Sequence, residues 1–221
     1  MKIIGLSSAT EVISFGLIDD DRVLAEATIA QTRAETIMPL LAQAGVEPAQ
    51  IEAIAVASGP GSYSGLRGGL ATAKSLAQTL QVPLIGISTL EAIAYNLVEV
   101  EGTMAVILDA RLDEYNFALF GASGGKLKRL TDDLVIKLDK LNGLLQKIEG
   151  PLYLIGKLEG VRGKGVGSRE NLRFADEIHS KPYGINVAKL GLLKIKAGKK
   201  SDPLELVPSY SHQPHFKEFN P

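Results

Sequence analysis

Apolar positions in the first hundred residues follow a strand period in some stretches and a helical period in others. Three β-like runs come first, at residues 2–6, 12–18 and 23–30, with the turn Asp19, Asp20 and Asp21 before the third. The next predicted element is a helix that ends at Gly45. Thr32 is expected to be its N-cap, with Glu35 three residues later. The elements predicted after it are a strand at 51–57, a helix at 66–80, a strand at 84–87 and a helix at 90–98.

A second round of the same plan begins at Gly102. Strand patterns at 104–108, 114–120 and 126–131 precede a helix at 138–148, a strand at 151–155 and a last amphipathic helix at 186–197. Two imperfect β-β-β-α-β copies predict an α/β protein whose mixed sheets carry helices on their faces. We expect a first lobe at 1–101, joined by the tail 200–221, and a reduced second lobe at 102–199.

Composition narrows the function classes. The chain has 221 residues and no Cys, which excludes disulfides, thiolate metal sites and a Cys nucleophile. Its formal net charge is −1, with 5 basic and 10 acidic residues in 1–100 and 19 and 15 in 101–221. The basic side chains of the second half are expected to be solvated surface, and a weak RNA contact by this half stays an open alternative. No apolar run approaches the roughly 18 residues of a membrane helix and no signal-peptide pattern opens the chain, which predicts a cytoplasmic protein.

Residues 58–65 form a loop rich in Gly and Ser between a predicted strand and a predicted helix. The candidate binding residues of this Gly-rich loop are Gly59, Pro60, Gly61, Ser62 and Gly65. Such a junction directs backbone N–H groups and a helix N-terminus at one point, which suits an anion. Any tight strand-to-helix turn also favours glycine, so the residue types alone leave both interpretations open.

The duplicated plan resembles that of the actin-like ATPase superfamily, which includes sugar kinases, Hsp70 and actin. The resemblance implies an Asp in the turn after the first strand of each half, where it helps to position a metal–phosphate complex. Ser7 stands there in the first half, and an uncharged hydroxyl does not replace a carboxylate at Mg²⁺. Asp109 stands there in the second half, where it could bind a metal, cap a turn or pair with Arg111. The first phosphate motif is therefore expected to be inactive.

The order of residues around the Gly-rich loop resembles the signature of the bacterial TsaB (YeaZ) family. The match covers GPGSYSGLR at 59–67 and GLATAK at 69–74, with further matches at Glu35, at 39–41, at 88–92, at 109–111 and at 114–115. The sequence departs from the family's common pattern at Ser7, Ser8 and Ala9, at Arg33 and Ala34, and at Gly68. These departures weaken intrinsic nucleotide binding more than a scaffold role.

The resemblance implies a non-catalytic scaffold in the formation of N6-threonylcarbamoyladenosine at position 37 of tRNAs that read ANN codons. Such a subunit pairs with its catalytic paralogue TsaD and with the ATPase TsaE, meets tRNA through the complex, and forms a homodimer when TsaD is absent. ATP and a divalent metal are then expected in the partner subunits and no cofactor in this chain. His179, His212 and His215 lack the His-x-x-x-His spacing of a TsaD-type metal site, and no nucleophile–base set is visible.

The resemblance also implies that the first two helices contact the partner. The expected contact residues are Ile37, Leu40, Leu41, Ala44, Leu66, Arg67, Leu70, Ala73, Lys74 and Ala77. Small residues along 66–80 let another helix approach closely, and a charge at Leu70 or Ala73 is expected to break pairing with the fold intact. Three alternatives remain open: helices that only cover their sheet, a stand-alone actin-like ATPase or phosphotransferase using Asp109 and the Gly-rich loop, and a metal-dependent peptidase-like hydrolase.

Overall fold

Two β-sheets organise the chain. The computed structural model describes residues 1–30, 34–159, 161, 170–199 and 201–212. The first sheet has the order β3-β2-β1-β4-β5 and contains β1 (Lys2–Ser7), β2 (Ile13–Asp19), β3 (Arg22–Ile29), β4 (Ala53–Gly59) and β5 (Leu84–Ser88). Its first three strands are antiparallel, and β4 and β5 continue parallel to β1.

The second sheet repeats this plan in reduced form. It has the order β11-β10-β6-β7-β8, and β9 also pairs with β7. Its strands are β6 (Gly102–Arg111), β7 (Glu114–Ser123), β8 (Lys126–Arg129), β9 (Leu134–Lys137), β10 (Leu152–Gly156) and β11 (Leu172–Phe174). The strands β6, β7 and β8 form an antiparallel meander, and β10 and β11 add in parallel. The duplicated strand plan is therefore confirmed.

The five α-helices of the described residues lie on the faces of both sheets. They are α1 (Ile37–Gln43), α2 (Tyr63–Leu80), α3 (Thr89–Ala94), α4 (Leu138–Leu145) and α5 (Gly184–Lys196). Apolar residues of α1 and α2 share a core with one face of the first sheet, and α5 packs on its other face. The second sheet packs on α3 with one face and on α4 with the other. None of these helices is both long and apolar enough to cross a membrane.

Helix α1 begins later than the pattern predicts. Residues Ala34–Thr36 form a 3₁₀ turn and the α-helix starts at Ile37, while the predicted cap Thr32 lies outside the described residues. Pro39 is then the third residue of the helix, where its missing N–H costs nothing because the first four N–H groups of a helix have no intrahelical partner.

The last helix belongs with the first sheet, which corrects the predicted second lobe at 102–199. Helix α5 lies directly on β1 and β2, where backbone meets backbone. A Cβ on Gly16 would lie 2.4 Å from the backbone N of Ile185, and a Cβ on Gly184 would lie 2.2 Å from the carbonyl carbon of Phe15. Glycine at these crossings lets the helix approach the strands, and Val187, Ala188 and Leu190 are buried there. Ser201 and Leu206 of the described tail also contact the first sheet and its core.

Candidate partner-binding site

The Gly-rich loop connects β4 to α2 and forms hydrogen bonds with the turn that follows β1. The backbone N of Ser62 donates to the Ala9 carbonyl at 2.7 Å, and the hydroxyl of Ser8 donates to the Gly65 carbonyl at 2.7 Å. The side chain of Ser62 caps α2 by accepting from the backbone N of Gly65 at 3.4 Å. Several polar groups of the loop are thus paired inside the protein.

The glycines of this loop are required by close backbone contact on two sides. A Cβ on Gly65 would lie 2.0 Å from the Ser8 carbonyl oxygen, and one on Gly61 would lie 2.1 Å from that of Ala9. On the other side, a Cβ on Gly59 would lie 2.2 Å from the Ser209 carbonyl oxygen, and Gly59 also has a φ of +125°. The Gly59–Pro60 peptide bond is cis. These three glycines are therefore required by close contacts with the chain's own backbone.

Ser7 and Asp109 stand where the actin-like resemblance places a phosphate-motif Asp. Ser7 is fully buried at the end of β1. The carboxylate of Asp109 accepts a hydrogen bond from the backbone N of Arg111 at 2.9 Å, which is the turn-capping alternative. Within the described part of the chain, no three His, Cys, Asp or Glu side chains converge on a possible metal position.

A cleft of about 210 Å³ lies near these turns. It is lined by Thr10 and Glu11 after β1, by Lys157 and Glu159 after β10, and by Lys181. Its charged side chains are of both signs.

Burial corrects the predicted contact surface of the first two helices. Six of the ten predicted residues are buried in the chain's own core and have no surface for a partner: Ile37, Leu41, Leu66, Leu70, Ala73 and Ala77. Leu40 and Lys74 are half-buried, and Ala44 and Arg67 are exposed. The apolar stripe read from the sequence is therefore the sheet-covering face, because a helix turns its largest apolar residues inward.

The outward side of α2 carries small side chains. This open stripe consists of Ser64, Gly68, Ala71, Ser75, Gln78 and Thr79, all exposed except Gly68, which is half-buried. Beside it, α1 exposes Ala42 and Met38, the latter with 42% of its surface accessible. A side without large side chains lets a second helix approach the α2 backbone closely.

Residues 201–212, the C-terminal tail, run from the first sheet to the Gly-rich loop. The backbone N of Ser201 donates to the Leu84 carbonyl at 3.3 Å, and that of Ser209 donates to the Ser58 carbonyl at 2.7 Å. At its end, Nε2 of His212 lies 3.0 Å from the Ala110 carbonyl oxygen in the second sheet. The tail therefore also contacts the second sheet through His212, and His215 lies outside the described residues.

An aromatic and cationic cluster holds the tail against α2. Nε of Arg67 donates to the Tyr210 hydroxyl at 2.9 Å, and its guanidinium lies 4.1 Å from the centre of the Tyr63 ring. The Tyr63 and Tyr210 rings are 4.9 Å apart. The hydrogen bond that Arg67 donates to the Tyr210 hydroxyl raises the pKa of Arg67 above its already high ordinary value. Sequence reasoning missed Tyr63 and Tyr210, because 143 residues separate Arg67 from its partner.

Comparison with known proteins shows which family this chain belongs to. The family model described as "TsaD: tRNA N6-adenosine threonylcarbamoyltransferase" matches residues 24–163, more than half of the chain. The chain is 29% identical over 162 residues to the tRNA threonylcarbamoyladenosine biosynthesis protein TsaB of Bacillus subtilis, covering 71% of each protein. It is also 29% identical to TsaB of Escherichia coli over 164 residues, again 71% of each.

A solved structure shares the fold over nearly the whole chain. YeaZ from Pseudomonas aeruginosa superposes with a TM-score of 0.78 at 21% identity, covering 95% of this chain and 99% of that one. The predicted two-lobed, actin-like α/β fold is thereby confirmed. The chain belongs to the TsaD family of the matching model and, within it, is a homologue of the TsaB (YeaZ) proteins that its loop motif resembles.

Proposed function

We propose that this chain is a non-catalytic scaffold subunit for the formation of N6-threonylcarbamoyladenosine in tRNA. In this proposal it pairs with the catalytic paralogue TsaD, works with the ATPase TsaE in the cytoplasm, and meets tRNA only through the complex. ATP and a divalent metal are bound by the partner subunits, and the free chain forms a homodimer. The names of its TsaB relatives in two bacteria support the process.

One observation carries the scaffold role: the glycines of the Gly-rich loop are used in backbone contacts within the chain, whereas the outer side of the helix that the loop begins is exposed. The Ser209 carbonyl fills the space over Gly59, and Ser8 and Ala9 fill the space over Gly65 and Gly61. These glycine positions are taken up by backbone contacts within the chain. The open stripe of α2, by contrast, is accessible to another helix without rearrangement.

The partner surface in this proposal is the open stripe together with the exposed side of α1. Ala71 stands at the middle of the stripe, and Met38 and Ala42 flank it on α1. A pair of helices from a paralogue could pack on this surface as a four-helix contact, in which the small side chains of α2 allow a short distance between the helix axes. Arg67 and Lys74 stay at its edge.

Reconstituted tRNA modification tests the proposal. Purified TsaD, TsaE, threonylcarbamoyl-adenylate and tRNA are combined with and without this chain, and the modified adenosine is quantified. We expect product only when the chain is present, and equal yields in both reactions would contradict the proposal. Calorimetry of the isolated chain with MgATP is a second check, since micromolar binding would favour the stand-alone ATPase instead.

A matched pair of variants tests the surface itself. Ala71→Arg places a long charged side chain in the middle of the open stripe, whereas Ala197→Arg places the same side chain at the exposed end of α5, on the opposite face of the first sheet. We expect Ala71→Arg to abolish co-elution with TsaD on a sizing column and Ala197→Arg to leave it unchanged. Co-elution of both variants would show that the open stripe is not the contact.

A further inference from the structure

The C-terminal tail forms one wall of the open stripe of α2. Tyr63, Arg67 and Lys74 lie along a single flank of that helix, because spacings of four and seven residues return to the same side. Each of them meets the tail: Tyr63 and Arg67 contact Tyr210, and Nζ of Lys74 donates to the Leu204 carbonyl at 3.4 Å. The opposite flank, which carries Leu76, packs into the same core as Leu40 of α1.

Two contacts, made by the half-buried Leu206 and by the backbone of Ser209, hold the tail in this place. Leu206 packs into the core formed by α1, α2 and the first sheet, and a Cβ on Gly86 would lie 2.7 Å from its Cδ1 atom. The backbone N of Ser209 donates a hydrogen bond to the carbonyl of Ser58 at the start of the Gly-rich loop. A partner that displaced the tail would have to expose Leu206 to water and break these bonds, so retaining the tail is the less costly alternative.

The tail turns two large aliphatic side chains outward on either side of this anchor. Leu204 is 74% exposed and Val207 is 68% exposed, while Leu206 between them points into the core. Both stand on the segment that lies against α2, beside the open stripe. A helix seated on the stripe is therefore bounded by α1 on one side and by the tail on the other.

We propose that the tail is a third element of the partner surface, and that the paralogous subunit seated on α1 and α2 also packs on Leu204 and Val207. This inference rests on the proposed function, which supplies the partner. The tail remains docked in the complex, and its aliphatic side chains lose their solvent exposure there. The contact joins the stripe, the tail and α1 into one continuous interface.

Pairing affinity tests this inference. The dissociation constant of each purified variant with TsaD is measured by calorimetry for Leu204→Asp, for Val207→Asp and for the control Ile178→Asp. Ile178 is 62% exposed on the short 3₁₀ turn Glu177–Ser180, so its substitution is matched in chemistry and exposure. We expect each tail variant to raise the dissociation constant by about tenfold or more, as for residues that carry binding energy. The control is expected to bind like the unaltered chain.

Hydrogen exchange provides a second readout that needs no variant. The amide of Ser209 is expected to stay as protected in the complex as in the free chain. Faster exchange in the complex, or an unchanged dissociation constant for both tail variants, would overturn the inference. If Ala71→Arg abolishes pairing while the tail variants pair normally, the tail inference fails alone. If the unaltered chain does not pair with TsaD, the proposed function fails and the tail inference fails with it.

Discussion

Ala71 and Ala73 lie two residues apart on α2 and point to nearly opposite sides of it. Two residues turn an α-helix by about 200°, so one of the pair faces the sheet when the other faces solvent. Ala73 is fully buried among Leu70, Ala77 and the strands, whereas Ala71 is exposed in the open stripe. Two alanines of one helix therefore lie in different environments, one in the core and one at the surface. Their residue type alone does not show which is which.

This pair gives a direct test at the residue scale. We expect Ala73→Arg to lower the free energy of unfolding by about 3 kcal/mol or more, because it forces a charge and extra volume into a packed core. Ala71→Arg is expected to change it by less than about 0.5 kcal/mol, since Arg is nearly as good a helix former as Ala. Urea unfolding measures both, and equal destabilisation of the two variants would contradict the assigned faces.

Local chemistry in the loop was readable from the sequence, and distant contacts were not. The order of Gly59, Gly61 and Gly65 predicted a tight strand-to-helix turn, which the structure confirms. That Ser209 covers Gly59 depends on two residues 150 positions apart, and no periodicity encodes such a pairing. The buried side of α2 was mistaken for its outer side, because a single amphipathic stripe does not say which apolar surface it covers.

Backbone contact between α5 and the first sheet is the distinctive feature at the scale of elements. The helix crosses β1 and β2 where Gly5 and Gly16 carry no Cβ, and it starts with Gly184 at the same crossing. Helix and strands therefore approach more closely than side chains would allow, and the helix backbone itself fills the space. The absence of side chains at this crossing explains why a helix late in the chain returns to the first sheet.

Two Gly→Ala variants test this packing. A Cβ at Gly16 would lie 2.4 Å from the backbone N of Ile185, so we expect Gly16→Ala to lower the free energy of unfolding by about 1–3 kcal/mol. Gly143 lies within α4 with no atom within 4 Å of its ideal Cβ, so Gly143→Ala is expected to raise it by about 0.5–1 kcal/mol. Thermal unfolding of both variants provides the check. A Gly16→Ala protein as stable as the parent would mean that α5 does not approach β2 this closely.

Periodicity predicted most of the strands and missed two short ones. The strands β1, β4, β5, β6, β7, β8 and β10 and the helix α2 were predicted to within a few residues at each end. The strands β9 and β11, of four and three residues, were missed. The packing of α5 on the first sheet was also missed. A helical pattern shows which side of a helix is buried, but it does not show which element covers that side.

An ionic network connects the two sheets at the scale of the whole molecule. Glu91 on α3 accepts from Nζ of Lys194 on α5 at 2.7 Å and lies 3.8 Å from the guanidinium of Arg129 on β8. Arg129 also pairs with Asp133 at 2.6 Å, and Asp133 in turn accepts from the Ser88 hydroxyl at 2.7 Å. Elements of the first and second sheets thus share one set of largely shielded charges.

A second lysine of α5 forms an exposed ion pair that can be compared with the shielded Lys194–Glu91 pair. Lys196 lies 3.0 Å from Asp20, and both side chains are 55% exposed, whereas Lys194 and Glu91 are only 24% and 15% exposed. The hydrogen bond from Lys196 lowers the pKa of Asp20. Any stability from this pair is therefore present above the unfolded-state pKa of Asp20 and is lost as the pH falls through the folded-state pKa. The two pairs therefore differ in how far water reaches them.

Double-mutant cycles at pH 7 turn this difference into a prediction. For Lys194→Met and Glu91→Gln we expect a coupling of about 1 kcal/mol in the free energy of unfolding, because a shielded pair within a network is screened little by water. For Lys196→Met and Asp20→Asn we expect no measurable coupling, because an exposed pair gains little over its hydrated ions. Added salt should leave the first value nearly unchanged. If the two cycles gave equal couplings, the shielding of the Lys194–Glu91 pair would add nothing measurable to the free energy of unfolding.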